Sequence, residues 1–240
     1  MKKTCRKLLL AHRGYTKKFQ ENTLESIQEA INNKYTDGLE FDVMPTLDDI
    51  PVCFHDENMT RLIGINKRID QITYHELSKL KIKNKIGNNI EYSQNPKIPK
   101  FSEALNILKD TKKVINLELK YDKVSTKFVN NVVNLISEYK MEDKIIISSF
   151  NPDLLKLIDS EKFILANIND YDICENDISK MNLDYSRVVL DKRSSTDLIK
   201  ELKKRNKIIG IYTINSYNDN LKDNFDDYNV DYLIFDQLFD

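Results

Sequence analysis

Carboxylates, histidines and cations stand within or directly after four short apolar runs of this 240-residue sequence. These groups are His12-Arg13 after 7–11, Glu40 and Asp42 within 38–43, His55-Asp56 after 51–54, and Glu118 and Lys120 at the end of 114–120. Successive side chains of a strand point to opposite faces, so Glu40 and Asp42 share one face and Phe41 lies on the other. Glu118 and Lys120 share a face of their run for the same reason. The sequence therefore predicts two strands that each carry a charged face.

Three of these carboxylates, Glu40, Asp42 and Glu118, would converge if their faces point into one barrel. An apolar core does not tolerate unpaired carboxylates, and a divalent cation would remove their repulsion. Because all the ligand atoms are oxygens, Mg²⁺ or Ca²⁺ is favoured over zinc. Such a cation polarises a phosphoryl oxygen and lowers the barrier to attack at phosphorus.

Two histidines and two cations complete this set of residues. Histidine is the side chain that most often transfers protons in catalysis, so one of His12 and His55 could remove a proton from a nucleophile and the other could protonate a leaving alkoxide. The residues leave open which histidine is the base. Arg13 offers a bidentate fork to phosphate oxygens, and Lys120 offers a point charge. The third histidine, His75, is interpreted as incidental.

Short β-branched runs alternate with longer segments of helical period, which is typical of βα units around a parallel sheet. The predicted strands are 7–11, 38–43, 114–119, 144–148, 162–166, 187–190, 207–212 and 232–235. The predicted helices are 22–33, 101–109, 124–139, 152–159, 174–182, 196–205 and 217–227. Asn22 is the predicted N-cap of the first helix, with Glu25 three residues later. Reactive groups of the predicted (β/α)₈ TIM barrel would lie at the carboxyl ends of its strands.

The chain stops four residues after Asp236, so we expect the eighth helix to be short or absent. The flank left bare between the first and last strands would be covered by the N-terminus or by a partner subunit of a homo-oligomer. The segment 57–100 breaks the alternation, and Gly64, Pro96 and Pro99 are turn signals within it. We interpret this segment as a small insertion after the second strand. The composition shows no linker, so residues 1–240 are predicted to form one domain.

The charge pattern argues against a polyanionic partner. Thirty-seven basic residues and 38 acidic residues are interspersed and give a net charge of −1. This balance does not favour binding to nucleic acid or to an anionic membrane. The apolar run at the N-terminus is ended by His12, before it reaches signal-peptide length. We therefore expect a cytoplasmic protein, whose three cysteines are ordinary thiols.

The motifs and their order resemble the glycerophosphodiester phosphodiesterase family. The matching motifs are His12-Arg13-Gly14, Glu21-Asn22-Thr23, Glu40-x-Asp42-Val43, Thr46-x-Asp48, Val52-x-x-His55-Asp56 and Leu117-Glu118-Leu119-Lys120. Further similarity lies in Ile98-Pro99, Ser148-Ser149-Phe150, Thr213-Ile214-Asn215 and 231–236, so that the resemblance covers almost the whole chain. It implies a TIM barrel with a small insertion after the second strand, in agreement with the pattern of elements.

The resemblance also implies a role for each site residue. The metal ligands would be Glu40, Asp42 and Glu118. The acid and base pair would be His12 and His55, and the residues that contact the phosphate would be Arg13 and Lys120. Glu21 would support these residues or be a further ligand, Asp56 would orient a loop or a histidine, and Tyr212 would offer a flat face to the glycerol or alcohol moiety. The sequence departs from the family at Gln20 and Gln237, where proline is usual, and at Tyr212, where tryptophan is common. The last two departures put the shape of the substrate pocket in question.

The expected activity is hydrolysis of a small glycerophosphodiester substrate to sn-glycerol 3-phosphate and an alcohol, with Mg²⁺ or Ca²⁺ as cofactor. It would belong to lipid and glycerol metabolism. Two alternatives remain open at this point. One is a lysophospholipase-D-like enzyme with the same site, and the other is a barrel that binds its ligand without turnover.

Overall fold

The strands of the computed structural model form a closed barrel, as predicted. The structure describes residues 6–83, 85–86, 90–91, 96–170, 178–214 and 230–236. Within these ranges, eight parallel strands close the barrel: each pairs with the next barrel strand along the chain, and the last pairs with the first. They are β1 (Leu8–Ala11), β2 (Gly38–Pro45), β6 (Val114–Leu119), β7 (Ile145–Ser149), β8 (Ile164–Asn169), β9 (Arg187–Asp191), β10 (Ile208–Ile214) and β11 (Tyr232–Phe235).

Helices lie between most of these strands. They are α1 (Leu24–Asn32), α2 (Tyr74–Leu77), α3 (Phe101–Leu108), α4 (Thr126–Glu138), α5 (Pro152–Leu155) and α6 (Thr196–Lys204), with 3₁₀ turns at Ile69–Gln71 and Ile178–Lys180. The predicted helix at 217–227, most of the one at 174–182 and the chain after 236 lie outside the described residues, and so does the prediction of a short or absent eighth helix. In the described part of the chain, no helix has the length and apolar character needed to cross a membrane.

Two local predictions were wrong. The N-cap of α1 is Thr23, which exchanges hydrogen bonds with Ser26 in a capping box, because Asn22 has a left-handed backbone (φ 55°) and uses its side chain elsewhere. The helix predicted at 152–159 ends after one turn. The Asp159 carbonyl then accepts a hydrogen bond from the Phe163 amide in a turn, so that β8 begins two residues later than predicted.

The two faces of the barrel strands have different environments. Side chains that point outward pack against the helices in the main apolar core. The interior is apolar on one side, where Leu10, Ile146, Ala166, Ile168, Val189, Tyr232 and Ile234 pack together. On the other side it is polar, because the register of β2 and β6 sets Glu40 beside Asn116 and Asp42 beside Glu118. The charged faces predicted for these two strands therefore meet inside the barrel.

The segment between β2 and α3 is a layer attached to the barrel. Strand β3 (Pro51–Cys53) runs antiparallel to the end of β2, and two short strands, β4 (Lys85–Ile86) and β5 (Ile90–Glu91), pair with each other. A separate apolar cluster joins this layer to the hairpin that β2 and β3 form. It contains Met44, Val52, Phe54, Met59, Leu62, Ile69, Ile72, Leu77, Ile82 and Ile98. The insertion predicted after the second strand thus has its own small core.

A glycine permits the close approach of the two strands that carry the carboxylates. A Cβ built on Gly38 would lie 2.2 Å from the carbonyl oxygen of Val114, which is backbone and cannot rotate away. We predict that Gly38→Ala lowers the free energy of unfolding by about 1–3 kcal/mol, because β2 and β6 must move apart. Urea unfolding measures this change. A loss below about 0.5 kcal/mol, the range of ordinary surface substitutions, would contradict the close-contact argument.

Candidate active site

Three buried carboxylates meet at the mouth of the barrel. Glu40, Asp42 and Glu118 each place one oxygen within 4.8 Å of the others, and their exposed fractions are 2%, 0% and 8%. Burial, together with the negative charges of Asp42 and Glu118, raises the pKa of Glu40 well above its usual range. Burial and Asp42 likewise raise the pKa of Glu118. The cluster therefore repels added negative charge and attracts a cation.

The donor set fits a hard divalent cation. Glu40 Oε1 and Asp42 Oδ1 are buried and have no hydrogen-bond partner among the described residues. Buried polar atoms are rarely left without partners, and carboxylate oxygens are the preferred ligands of Mg²⁺ and Ca²⁺. The arrangement is thus compatible with a divalent metal ion.

His12 follows β1 and lies directly beside this cluster. Its Nε2 is 3.8 Å from Glu40 Oε2, and its Nδ1 is 2.5 Å from Asp236 Oδ1. When Nδ1 donates to a carboxylate, Nε2 is the nitrogen available for proton transfer. Asp236 was not among the predicted site residues. Asp236 had the same sequence feature as His12, because it directly follows an apolar run that forms a strand.

His55 approaches the cluster from a strand that is not part of the barrel. The run before it is β3, which is not a barrel strand but returns antiparallel along β2, and the Phe54 amide donates to the Asp42 carbonyl. His55 Nδ1 lies 2.7 Å from Asp56 Oδ1. Both histidines therefore have a carboxylate at Nδ1.

Arg13 and Glu21 flank the cluster on one side. The Arg13 amide donates to Glu40 Oε2 at 3.0 Å, and its guanidinium lies 2.7 Å from Glu21 Oε1 and 3.7 Å from Asp42 Oδ2. Glu21 also binds Arg61, a residue of the insertion that sequence reasoning missed. No local pattern marks Arg61, since it lies in an irregular segment far from Glu21 in the chain.

Lys120 and an aromatic pair flank the opposite side. Lys120 Nζ lies 2.9 Å from Glu118 Oε1 and 4.7 Å from the centre of the Phe150 ring. Burial lowers the pKa of Lys120, but the attraction of Glu118 and Asp42 outweighs burial and raises it, so this side chain is a permanent cation. Tyr212 packs edge to face on Phe150, with ring centres 5.6 Å apart. The structure therefore brings Tyr212 to the mouth of the barrel, against the same ring that Lys120 contacts.

Asn22 holds the central carboxylate in place. Its Nδ2 donates to Asp42 Oδ2 at 2.8 Å, and its Oδ1 accepts from the Asp42 amide at 3.0 Å. The left-handed backbone of Asn22 turns the side chain inward. Sequence reasoning assigned Asn22 to a helix cap and missed this contact.

An open cleft of about 890 Å³ leads away from the cluster. His55 and Lys120 lie on its wall together with Tyr121, Val124 and Phe150. A small molecule can therefore reach the carboxylate cluster through this cleft.

We predict that Asn22→Gly weakens binding of Mg²⁺ or Ca²⁺ by about 10- to 100-fold, because partners of metal ligands orient them. Glycine keeps the left-handed backbone and removes only the amide. Calorimetric titration measures the affinity. The matched control is Asn206→Gly, because Asn206 is also left-handed (φ 58°) but is exposed, and it should bind the cation as the wild type does. Equal affinities of all three proteins would contradict the prediction.

We predict that Glu40→Gln makes the cation-free protein more stable at neutral pH. A carboxyl whose folded pKa is raised destabilises the fold as the pH rises from its unfolded value of 4.5 toward the folded one, and it has no such effect below 4.5. Urea unfolding should therefore show a gain at neutral pH that disappears at about pH 4. Added Mg²⁺ or Ca²⁺ should stabilise the wild type more than this variant.

The control for this experiment is Glu138→Gln, which alters an exposed carboxylate of α4. It should leave both the cation-free stability and the gain on adding cation as in the wild type. A Glu40→Gln protein less stable than the wild type at neutral pH without cation would count against carboxylate repulsion.

Comparison with known sequences gives a consistent result. The model of the glycerophosphoryl diester phosphodiesterase family matches residues 12–238. A glycerophosphodiester phosphodiesterase of Caldanaerobacter subterraneus subsp. tengcongensis is 32% identical over 145 residues, which are 60% of this chain and 58% of the relative. The matched region thus spans less than two thirds of this relative.

Two solved structures have the same fold. A phosphodiesterase of Oleispira antarctica, in complex with the product sn-glycerol-3-phosphate, has a TM-score of 0.80 and 22% identity, covering 95% of this chain and 92% of that one. A glycerophosphodiester phosphodiesterase of Thermotoga maritima has a TM-score of 0.72 and 24% identity, covering 97% and 96%. These similarities confirm the TIM barrel. Because the family model matches nearly the whole sequence, this chain belongs to the glycerophosphoryl diester phosphodiesterase family.

Proposed function

We propose that this protein hydrolyses sn-glycero-3-phosphodiesters to glycerol 3-phosphate and a free alcohol, using Mg²⁺ or Ca²⁺. The observation that carries this proposal is the buried cluster of Glu40, Asp42 and Glu118. His12 lies beside Glu40, and His55 lies near Glu118 on the wall of the cleft. The family of the chain supports the same reaction. The product named for the Oleispira antarctica structure is the product proposed here.

The carboxylates would hold the divalent metal ion. The positively charged side chains of Arg13 and Lys120 would hold the phosphate. When bound, Mg²⁺ or Ca²⁺ supplies a Lewis acid that polarises a phosphoryl oxygen. Arg13 would donate its guanidinium hydrogens to phosphate oxygens, since Glu21 orients the fork beside the cluster. Lys120 would add a point charge from the opposite side.

The two histidines would move the protons. Asp236 and Asp56 bind the Nδ1 atoms, so each ring keeps Nε2 for the reaction. One Nε2 would remove a proton from the attacking oxygen, which belongs either to water or to the neighbouring glycerol hydroxyl, and the other would protonate the oxygen of the departing alcohol. Attack by the hydroxyl would give a cyclic phosphate, which water then opens to glycerol 3-phosphate. An acid and a base held at two points of one site suit a displacement at phosphorus that needs both proton transfers.

The cleft favours a water-soluble alcohol over a lysophospholipid. An acyl chain needs a continuous apolar groove, whereas the cleft wall carries the carboxylates of Glu57, Asp122, Asp153 and Asp170. The proposed glycerophosphodiester substrates have small polar alcohols, such as choline, ethanolamine or glycerol. These fit a cleft of mixed polarity.

We predict metal-dependent release of glycerol 3-phosphate from glycerophosphoethanolamine by the purified protein. Chelator and Glu40→Ala should both abolish it, because the cation loses its ligands. His12→Ala and His55→Ala should each lower kcat by about 10²- to 10⁴-fold, the usual contribution of acid and base catalysis. A coupled assay for glycerol 3-phosphate measures all four.

His75→Ala is the matched control, because His75 is an exposed histidine of the insertion, and its rate should stay within about twofold of the wild type. Release that persists in His12→Ala would remove the acid and base assignment. Tight binding of glycerol 3-phosphate without turnover of any diester would favour the non-catalytic alternative. Faster turnover of a lysophospholipid would favour the lysophospholipase-D-like one.

A further inference from the structure

Arg61 connects the insertion to the residues around the carboxylate cluster. Its guanidinium makes two hydrogen bonds to Glu21, at 2.6 and 2.7 Å, and two to Asp56, at 2.6 and 2.8 Å. Glu21 belongs to the loop after β1, and Asp56 follows β3. One side chain thus ties two separate segments of the barrel mouth to the insertion.

Each of these carboxylates also binds a residue of the proposed site. Glu21 Oε1 accepts from Arg13 at 2.7 Å, and Asp56 Oδ1 lies 2.7 Å from His55 Nδ1. Arg61 is therefore one step from the proposed phosphate contact and one step from a proposed acid or base. It cannot be counted as a catalytic residue, because both contacts are made through another side chain.

Arg61 supplies positive charge to two largely buried carboxylates at once. The side chains of Glu21 and Asp56 are only 12% and 19% exposed. Burial raises the pKa of Glu21, but its bonds to Arg61 and Arg13 outweigh burial and lower it, so the carboxylate is ionised. Without Arg61, Glu21 would keep its ion pair with Arg13, and Asp56 would keep its contact with His55. Each of these carboxylates would then be free to draw its partner away from the cluster.

We infer that Arg61 is a positioning residue for this site: it holds Glu21 and Asp56 so that Arg13 and His55 stay aimed at the phosphate. The inference rests on the proposed function, because the phosphate in question is that of the proposed substrate. It makes the insertion a part of the active site. A flat fork with several donors is needed here, because it must meet two carboxylates at once.

We predict that Arg61→Ala raises KM and lowers kcat together, each by about 10-fold or more, since Arg13 and His55 both lose support. Arg61→Lys should recover only part of kcat/KM, because an ammonium is a point charge and cannot bridge two carboxylates as a fork does. The side chain is 38% exposed, so added guanidinium can enter the space that alanine leaves. Guanidinium below unfolding concentrations should restore activity to Arg61→Ala.

The matched control is Arg68→Ala in the same insertion. Like Arg61, Arg68 binds more than one carboxylate; its partners are Asp70, Glu57 and Asp122, and none of them contacts a histidine or Arg13 in the described structure. This variant should unfold at a lower urea concentration, keep kcat, and show no gain from guanidinium. It thereby separates a loss of stability in the insertion from a loss of positioning.

Binding of glycerol 3-phosphate, measured by calorimetry with Mg²⁺ present, gives a readout independent of turnover. We expect Arg61→Ala to bind it about 10-fold or more weakly than the wild type and guanidinium to reverse this. That result would support the inference even if the wild type releases no product, an outcome that would refute the proposed function alone. Arg61→Ala that binds and reacts as Arg68→Ala does, or that guanidinium fails to rescue, would overturn the inference.

Discussion

Repulsion among three buried carboxylates is the constraint around which the polar half of this barrel is organised. Glu40 and Asp42 share a face of β2, and the register with β6 brings Glu118 beside them. Burial removes these carboxylates from water, and they lie close to one another, so their charged forms are disfavoured. The pKa values of Glu40 and Glu118 are raised for these two reasons. Arg13 and Lys120 offset part of this charge, and a divalent cation would offset the rest. A site that destabilises the empty protein in this way is well suited to bind a cation tightly.

The polar network extends outward from the cluster in a consistent pattern. Each residue close to the cluster is bound by a second polar residue: Asn22 holds Asp42, Asp236 holds His12, and Asp56 holds His55. Such support fixes ring orientation and side-chain rotamer, and reactive groups need that order to meet a phosphate in one geometry. The insertion takes part through Arg61, and its separate apolar cluster on the β2–β3 hairpin gives that arginine a firm base.

The two halves of the barrel interior have different tasks. The apolar half, with Leu10, Ile146 and Ile234 among its members, supplies the burial that stabilises the closed barrel. The polar half can then carry carboxylates whose repulsion lowers the stability of the cation-free protein. The packing at Gly38 leaves no room for a side chain. Any side chain there would push apart the strands that bring Asp42 and Glu118 together.

Local patterns in the sequence were sufficient for the barrel strands and for the carboxylate faces, because strand alternation follows from backbone geometry alone. They also indicated His12, since polar residues that end strands collect at one mouth of a barrel. Contacts between distant residues were outside their reach. Asp236 meets His12 only because β1 and β11 close the barrel, and Arg61 meets Glu21 only because the insertion folds back over the loop after β1. The sequence predicted only a local role for Asn22, as a helix cap. In the structure its contact with the distant Asp42 prevails, because an amide that satisfies a buried carboxylate stabilises more than a helix cap.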